Sequence, residues 1–292
     1  MIQIKFCNAL YVLAVAEWLC YNTIKRQEVG EVERKLIIPD LSGIPEAFQP
    51  ILSGAPVFDS SCSPEARVLF IDRDDGFYLK SAPAGMLKTE AALTCYFHDK
   101  GVAAEVVAFE SGEEDYLLTR RVPGEDCTFA AYLDRPEKLC DILGQRLRML
   151  HEMDVEGCPV PDRMESYRAL AERNYRTGNY DSSHFPDSFG YESAEEAWSV
   201  ISRDGHLLKG DTLIHGDYCM PNVMLDHWRF SGFIDLGNGG VGDRHIDLFW
   251  GIWSLGFNLK TDRYGDRFLD AYGRDRVEPD LLRVVAAYEV FG

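Results

Sequence analysis

The chain has 292 residues, of which 46% are hydrophobic, and it carries a formal net charge of −18 at pH 7. This length and apolar content allow one or two domains with a sizeable core. The acidic balance excludes nucleic acid and anionic membrane surfaces as partners, because there is no basic patch to neutralise phosphates, and it favours a cationic small molecule.

The first 37 residues are expected to form an N-terminal extension or an extra helix. Within them, residues 6–16 are apolar and similar to the hydrophobic region of a signal peptide, but the stretch is short for a membrane span. The eight cysteines are scattered and form no C-x-x-C pair, which is typical of reduced thiols in a cytosolic protein. We therefore predict a cytoplasmic location without stable membrane association.

Residues 38–122 are rich in strand patterns and are predicted to form a small first lobe. Short β-type runs are separated by turn residues, and the turn at 73–76 indicates a hairpin. One helical pattern interrupts the strands and ends at Gly101. The predicted strands cover 55–61, 66–71, 76–82, 104–111 and 115–122, and the predicted helix covers 86–101.

Residues 123–292 are predicted to form a larger, mainly helical second lobe, joined to the first near residues 119–124. A strand enters a loop at 213–218, and residues 222–237 have the pattern of a β-hairpin. The predicted helices cover 140–153, 162–176, 191–203, 243–257, 263–272 and 279–291. A two-lobed α+β protein of this kind often carries its active site in the cleft between the lobes.

Polar residues interrupt two apolar runs in the stretch LIHGDYCMPNVML, residues 213–225. Asp217 and Asn222 lie on the loop that follows the predicted strand, and Asp235 lies at the end of the next hairpin. Because a hairpin brings its ends together, we expect these three side chains to converge. One carboxylate that can accept a proton, with an Asn and an Asp as oxygen ligands, is typical of Mg²⁺-dependent phosphoryl transfer.

Lys80 and Glu90 supply a second part of the same chemistry. Lys80 ends the strand GFYLK, and Glu90 lies on the helix that follows. Enzymes that transfer a phosphoryl group from ATP need a cation on the α- and β-phosphates, and in kinases a helix glutamate holds that lysine.

These motifs resemble those of the aminoglycoside phosphotransferases, specifically the 3'-phosphotransferase (kanamycin kinase) branch, which has a protein-kinase-like fold. The resemblance extends from about Pro39 to the C-terminus, and the pairing of H-G-D-x(4)-N with I-D-x-G at this spacing is its most specific part. It is carried by SPEARVLFI, FYLK, RMLHEMDVEGCP, HGDYCMPN, RFSGFIDLG, DRFLDAYG and YEVFG.

The resemblance implies a role for each matching residue. Asp217 matches the catalytic base, and Asn222 and Asp235 match the magnesium ligands. Lys80, held by Glu90, matches the lysine that binds the phosphates of ATP.

Further residues are implied to bind the nucleotide or the acceptor. The loop 58–67 matches the nucleotide-positioning loop, and Arg120 and Val122 match the strand whose backbone meets adenine. Glu289 and Phe291 match the region that contacts the aminoglycoside, together with Asp217. The serines of the loop, as candidate phosphate contacts, are Ser60, Ser61 and Ser63.

Some positions depart from the family's pattern. Asn238 follows I-D-x-G, where the family often has an Arg or a similar polar residue. Phe257 and Asn258 occupy the place where some members present adjacent acids to the drug. His215 and Asp247 are interpreted as structural, with His215 bonding backbone and Asp247 bonding the loop around Asp217. Cys219 is expected to be a packing residue.

The sequence therefore predicts Mg²⁺- and ATP-dependent phosphorylation of a small molecule, best matched by the 3'-hydroxyl of a kanamycin-like aminoglycoside. An amino alcohol, a sugar or a macrolide is the alternative acceptor. Two other classes stay open at this point: a nucleotide-binding module without transfer, and a hydrolase that uses Asp217 as nucleophile and does not need Lys80 or Glu90. The choice between ATP and GTP and the oligomeric state are also open.

Overall fold

A computed structural model describes residues 35–62, 66–182 and 189–292. The signal-like stretch at 6–16 and Ser63 lie outside the described residues. None of the helices in these ranges has both the length and the apolar character needed to cross a membrane.

The first lobe is built on a six-stranded antiparallel sheet with the order β1-β2-β3-β4-β6-β5. Apolar side chains on one face, such as Leu69 and Leu79, pack with Phe48 into a buried core. The strands are β1 (Lys35–Ile37), β2 (Val57–Asp59), β3 (Arg67–Ile71), β4 (Phe77–Pro83), β5 (Val106–Ser111) and β6 (Glu114–Arg120). The sheet therefore begins at Lys35, three residues before the expected start of the lobe at residue 38.

Two helices belong to this lobe. The short α1 (Gln49–Leu52) was not predicted, whereas α2 (Lys88–Asp99) confirms the helical pattern that follows Lys80. Helix α2 places Leu93 and Phe97 in a core shared with the second lobe, so the helix rests against both lobes.

The second lobe is mainly helical, and its longer helices confirm the predicted ones with small changes at their ends. Its helices are α3 (Ala130–Leu133), α4 (Pro136–His151), α5 (Arg163–Thr177), α6 (Ala194–Asp204), α7 (Arg244–Leu259), α8 (Gly265–Tyr272) and α9 (Pro279–Glu289). Its strands are β7 (Glu125–Asp126), β8 (Thr212–Ile214), β9 (Val223–Asp226), β10 (Arg229–Phe233) and β11 (Gly240–Gly242). Strands β9 and β10 form the predicted hairpin.

Two of the attachments between the lobes lie beside β5 and β6. The linker after β6 reaches Gly124, where a Cβ would lie 2.1 Å from the Leu225 carbonyl oxygen, so the chain is pressed against β9. Separately, the segment after α2 joins the hairpin, because the Phe233 N–H donates to the Val102 carbonyl at 2.8 Å. The cleft between the lobes thus has a fixed edge on the side of β5 and β6.

Candidate active site

The loop between β8 and β9 carries Asp217 and requires a glycine immediately before it. Gly216 has φ +81°, and a Cβ there would lie 1.8 Å from the Asn238 carbonyl oxygen. Only glycine allows both this backbone conformation and this close approach. The loop is therefore pressed against the turn that follows Asp235.

Asp247 fixes the same loop from α7. Its fully buried carboxylate accepts the backbone N–H groups of His215 and Gly216, each at 2.7 Å, and is bonded by His151 Nε2 at 3.0 Å. The His151 Nδ1 in turn meets the Tyr272 hydroxyl at 2.8 Å. The interpretation of Asp247 as a residue that bonds the loop is confirmed.

His215 also has the structural position expected for it. Its Nε2 lies 3.0 Å from the Ile234 carbonyl, and its Nδ1 accepts the Asp217 N–H at 3.3 Å. With both ring nitrogens bonded to backbone, His215 joins the loop to the hairpin end and has no nitrogen left for a substrate.

Asp217 and Asn222 are in direct contact, as the hairpin argument predicted. The Asn222 Nδ2 donates to Asp217 Oδ2 at 2.9 Å and to the Asp217 carbonyl at 3.0 Å. The other carboxylate oxygen, Oδ1, is buried and accepts no hydrogen bond within the described part of the chain. Burial raises the pKa of Asp217. This oxygen therefore keeps an unused position for accepting a hydrogen bond.

Asp235 joins this group from the end of β10. The Ile234 N–H donates to the Asn222 carbonyl at 3.1 Å, which brings the end of the hairpin beside the loop. Asp235 itself has φ 58° and ψ 56°, a left-handed conformation that is uncommon for a residue with a side chain. Such strain persists where the surrounding structure enforces it and is often found at functional sites.

Lys80 connects the two lobes at the base of the cleft. Its Nζ lies 2.8 Å from Glu90 Oε2 and 3.2 Å from Asp235 Oδ1. Burial alone lowers the pKa of Lys80, but the two carboxylates outweigh it and raise the pKa above its usual value, so the lysine stays protonated. Burial raises the pKa of Glu90, and the Lys80 charge opposes this.

The oxygen atoms around Asn222 and Asp235 fit a magnesium ion. Because the Asn222 amide nitrogen is bonded to Asp217, the amide oxygen is the atom left for a cation. Within the described ranges, no group of three His, Cys, Asp or Glu residues could hold a metal alone. Magnesium is usually held by one or two carboxylates together with substrate phosphates and water, so this sparse donor set suits it.

The remaining nucleotide-site predictions differ in how the structure places them. The Ser61 N–H donates to Asp59 and the Ser61 hydroxyl accepts the Val68 N–H, each at 2.9 Å, so this side chain holds the β2–β3 loop together. The Arg120 side chain turns outward to an exposed ion pair with Glu105 at 2.7 Å. The buried Val122 has neither its N–H nor its C=O bonded to backbone among the described residues, and an adenine ring needs partners of this kind.

Glu289 lies near Asp217, whereas Phe291 lies in the core. Glu289 Oε1 accepts the Tyr167 hydroxyl at 2.6 Å. Burial raises the pKa of Glu289 to about 7, and the nearby Asp217 also raises it. The Phe291 ring has no exposed surface and packs against Trp198 and its neighbours. The expected contact between an acceptor and Phe291 is therefore not supported for its side chain.

Helix α7 carries Phe257 and Asn258 at the positions where some members of the family present adjacent acidic residues. Phe257 stacks on Trp253 with ring centroids 5.1 Å apart, and Asn258 donates to the Ser254 carbonyl at 2.7 Å. The Ser254 hydroxyl accepts the Met220 N–H at 2.9 Å, which places this turn of the helix beside the Asp217 loop. Aromatic and amide groups thus replace carboxylates near the site.

The chain is similar in sequence to known proteins. A model of the phosphotransferase enzyme family matches residues 58–284. A probable aminoglycoside 3'-phosphotransferase of Lactococcus lactis is 47% identical over 254 residues, which cover 87% of this chain and 97% of that protein. The chain belongs to this phosphotransferase family. An aminoglycoside 3'-phosphotransferase of Streptomyces fradiae is 30% identical over 79% of the chain and 88% of its own length.

Solved structures share the fold of this phosphotransferase. A type VIII aminoglycoside-3'-phosphotransferase superposes with a TM-score of 0.67 at 25% identity, covering 77% of this chain and 88% of its own. An aminoglycoside phosphotransferase of Streptomyces rimosus in complex with ADP and streptomycin has a TM-score of 0.60 at 19% identity, covering 94% and 98% of the two chains. The α+β, protein-kinase-like, two-lobed fold is therefore confirmed.

Two residues of the phosphotransferase were missed by sequence reasoning. Tyr167 bonds Glu289 across 122 positions of the chain, and Arg163 bonds Asn238 across 75. Both lie on α5, which the sequence indicated only as a polar helix. The only sequence signal was the (i, i+4) spacing that places Arg163 and Tyr167 on one face of the helix, and this spacing does not indicate which distant residue either of them contacts.

Proposed function

We propose that this phosphotransferase transfers the γ-phosphoryl group of ATP to the 3'-hydroxyl of an aminoglycoside. The observation that carries the proposal is the convergence of Asp217, Asn222 and Asp235 with the Lys80–Glu90 pair in one cleft. The similarity to proteins named aminoglycoside 3'-phosphotransferases supports the choice of acceptor.

The nucleotide lies between the lobes in this proposal. Lys80 binds the α- and β-phosphates, and its bond to Glu90 keeps it aimed at them. The N–H and C=O groups of Val122, which are not bonded to other backbone groups among the described residues, pair with adenine. Magnesium, when bound by Asn222 and Asp235, neutralises the phosphate oxygens on which charge accumulates during transfer.

Asp217 orients the acceptor. The acceptor hydroxyl donates a hydrogen bond to Oδ1, the buried oxygen that has no partner in the described chain. The hydroxyl oxygen forms the new bond to the γ-phosphorus as the bond to the β–γ bridging oxygen breaks, which releases ADP. The hydroxyl proton passes to Asp217. Positioning and charge neutralisation supply most of the rate.

The acceptor side favours a cation. Glu289 is the carboxylate beside Asp217, and it pairs with an ammonium group of the acceptor. The strongly acidic surface, with its charge of −18, attracts polycations toward the cleft.

A second acceptor class is favoured by one observation. Phe257 and Asn258 on α7 replace charged groups near the Asp217 loop with an aromatic ring and an amide. Such a wall suits an acceptor with fewer ammonium groups, such as an amino alcohol, a sugar or a macrolide.

The test is coupled ADP release with Mg²⁺-ATP and an aminoglycoside panel. Kanamycin and neomycin are compared with an analogue that lacks the 3'-hydroxyl. Turnover that requires this hydroxyl is the expected result, and phosphorylation of the analogue at an equal rate would contradict the proposed position of transfer. Turnover only with the other acceptors would move the assignment to the second class.

Variants test the role of Asp217. Asp217→Asn is expected to abolish turnover while nucleotide binding, measured by calorimetry, is kept. Asp270→Asn is the matched control, because Asp270 forms an exposed ion pair on α8 with the side chain of Arg274. Full activity in Asp217→Asn would overturn the role.

A further inference from the structure

The carboxylate of Glu289 is bonded by a hydroxyl group from a different helix. Tyr167 lies on α5, and its hydroxyl donates to Glu289 Oε1 at 2.6 Å across 122 positions of the chain. A glutamate side chain has several rotatable bonds, so a buried carboxylate needs a partner to stay in one orientation. The Tyr167 hydroxyl therefore determines where this carboxylate lies.

The backbone at Glu289 is held in place by other contacts. Glu289 is the last residue of α9, whose inner face, including Val285, is buried in the core of the second lobe. The segment after α9 is attached to α5 separately, because Asn174 Nδ2 donates to the Phe291 carbonyl at 2.8 Å. Loss of the Tyr167 hydroxyl would leave these contacts intact and would release only the carboxylate.

The Tyr167 ring has a fixed position of its own. It packs against the ring of Tyr288 on α9, with centroids 4.9 Å apart and planes inclined at 33°. Tyr288 is itself buried, so the hydroxyl of Tyr167 is carried by a ring that packing keeps in place. Tyr167→Phe would keep this packing and remove only the hydroxyl, which separates the hydrogen bond from the core.

Further groups face the Glu289 carboxylate. They are Asp217 on the loop between β8 and β9, Trp250 on α7, Arg163 on α5 and the backbone of Gly292. Burial raises the pKa of Glu289 to about 7, and the hydrogen bond from Tyr167 is the largest effect that opposes this rise. A Cβ on Gly292 would lie 3.0 Å from Glu289 Oε2, so a larger residue there would crowd this second oxygen. A carboxylate can accept about four hydrogen bonds, so it can bind an ammonium group as well as Tyr167.

We infer that Tyr167 is a positioning residue of the acceptor site: its hydroxyl, bonded to Oε1, fixes the Glu289 carboxylate before a cationic acceptor binds. A carboxylate that is already fixed need not be ordered when the ammonium group arrives, so binding is tighter. The inference rests on the proposed function, because a cationic acceptor is what gives the fixed carboxylate its use.

The first test measures the binding of kanamycin by calorimetry, which does not require turnover. Tyr167→Phe is expected to raise the Kd for kanamycin about fivefold. The kcat at saturating acceptor and the Kd for ATP should change by less than about twofold, because the lost contact contributes to acceptor binding alone. Tyr191→Phe is the matched control. The Tyr191 hydroxyl also donates to α9 at 2.6 Å, but to the Arg283 carbonyl, so this variant should lose comparable stability and keep its affinity.

The second test asks whether Tyr167 acts through Glu289. In Glu289→Ala the hydroxyl has no carboxylate to hold, so the addition of Tyr167→Phe should change the Kd for kanamycin by less than about twofold. A general loosening of α5 or α9 would instead weaken binding by the same factor with and without Glu289. The two single variants and the double variant therefore distinguish positioning from a purely structural role.

The third test follows the titration of Glu289 without any acceptor. The protein is labelled with ¹³C-carboxyl glutamate, and the Glu289 resonance is assigned by its loss in Glu289→Gln. In Tyr167→Phe the pKa of Glu289 is expected to rise by about one pH unit, because a hydrogen bond to the ionised form has been removed. Tyr191→Phe should leave the titration unchanged.

The outcomes separate the two proposals. If the wild type neither binds nor phosphorylates an aminoglycoside, the proposed function fails, but the titration still decides whether Tyr167 fixes the Glu289 carboxylate. An unchanged Glu289 titration in Tyr167→Phe overturns the inference. An equal loss of affinity with and without Glu289, or an equal loss in Tyr191→Phe, also overturns it.

Discussion

Replacing Asp247 by alanine should separate the stability of the Asp217 loop from the chemistry of the loop. The Asp247 carboxylate is fully buried and holds the N–H groups of His215 and Gly216 at 2.7 Å and the His151 ring at 3.0 Å. The Asp247→Ala substitution removes all three bonds, at a position that is not expected to contact either the nucleotide or the acceptor.

The magnitude follows from the groups left without partners. Each buried polar group that loses its bond costs ~1–3 kcal/mol, and water entering the small cavity would recover part of this. We expect the free energy of unfolding to fall by about 4 kcal/mol, and the melting temperature to fall by about 8–15 °C. Because Asp217 is then poorly positioned, kcat should fall on the order of a hundredfold. The KM for ATP should change little, since the Lys80 contacts remain.

Thermal melts and steady-state kinetics with the best acceptor measure both effects. Asp247→Asn keeps the shape and one acceptor oxygen, so its losses should be intermediate. Asp270→Ala, which removes only an exposed ion pair with Arg274, should change stability by less than about 1 kcal/mol. If Asp247→Ala melts and turns over like Asp270→Ala, the reasoning from these buried bonds is refuted.

Three further predictions concern the site. Glu289 has a pKa of about 7 in the fold against 4.5 ordinarily, so its ionisation costs stability as pH rises through this interval. Relative to the wild type, Glu289→Gln should therefore gain up to about 3 kcal/mol at pH 8 and nothing at pH 4 in denaturant titrations, and equal gains at both values would contradict it. Gly216→Ala would place a Cβ 1.8 Å from the Asn238 carbonyl and should lower both melting temperature and kcat, whereas Gly85→Ala, with a similar φ of +86° but open space, should show only the smaller cost of backbone strain. Lys80→Met should raise the KM for ATP by roughly tenfold or more while acceptor binding, measured by calorimetry, persists; an unchanged KM for ATP would remove Lys80 from the nucleotide site.

The contacts that the sequence predicted correctly are close in the chain or are joined by a hairpin. Lys80 and Glu90 are ten positions apart, on a strand and the helix that follows, and they form the expected bond. Asn222 reaches Asp217 across five positions. In each case one local element determines where both side chains lie, so pattern and spacing are enough.

The contacts that sequence could not provide depend on packing between distant segments. Arg163 and Asn238 meet only because α5 lies over the turn after β10. The motif around Phe291 matched the family's acceptor-binding region, yet the Phe291 ring is buried in the core. Its burial depends on aromatic residues such as Trp198 that come from other segments of the chain. Ser61 shows a third limit. Its loop was expected to contact phosphate, but its hydroxyl instead accepts a hydrogen bond from the Val68 N–H of its own hairpin.

The positions of the attachments between the lobes have a consequence for how the lobes can move. The linker at Gly124, pressed against Leu225, and the bond between Phe233 and Val102 tether the lobes along one side of the cleft, and the Lys80–Asp235 ion pair tethers them at its base. These tethers lie on β4 or on the β5–β6 side of the sheet, whereas β2 and β1 lie at the far edge, so displacement should grow toward β2 and β1. When the first lobe moves relative to the second, the displacement should be smallest beside the linker that meets adenine and largest at the β2–β3 loop, over the phosphates.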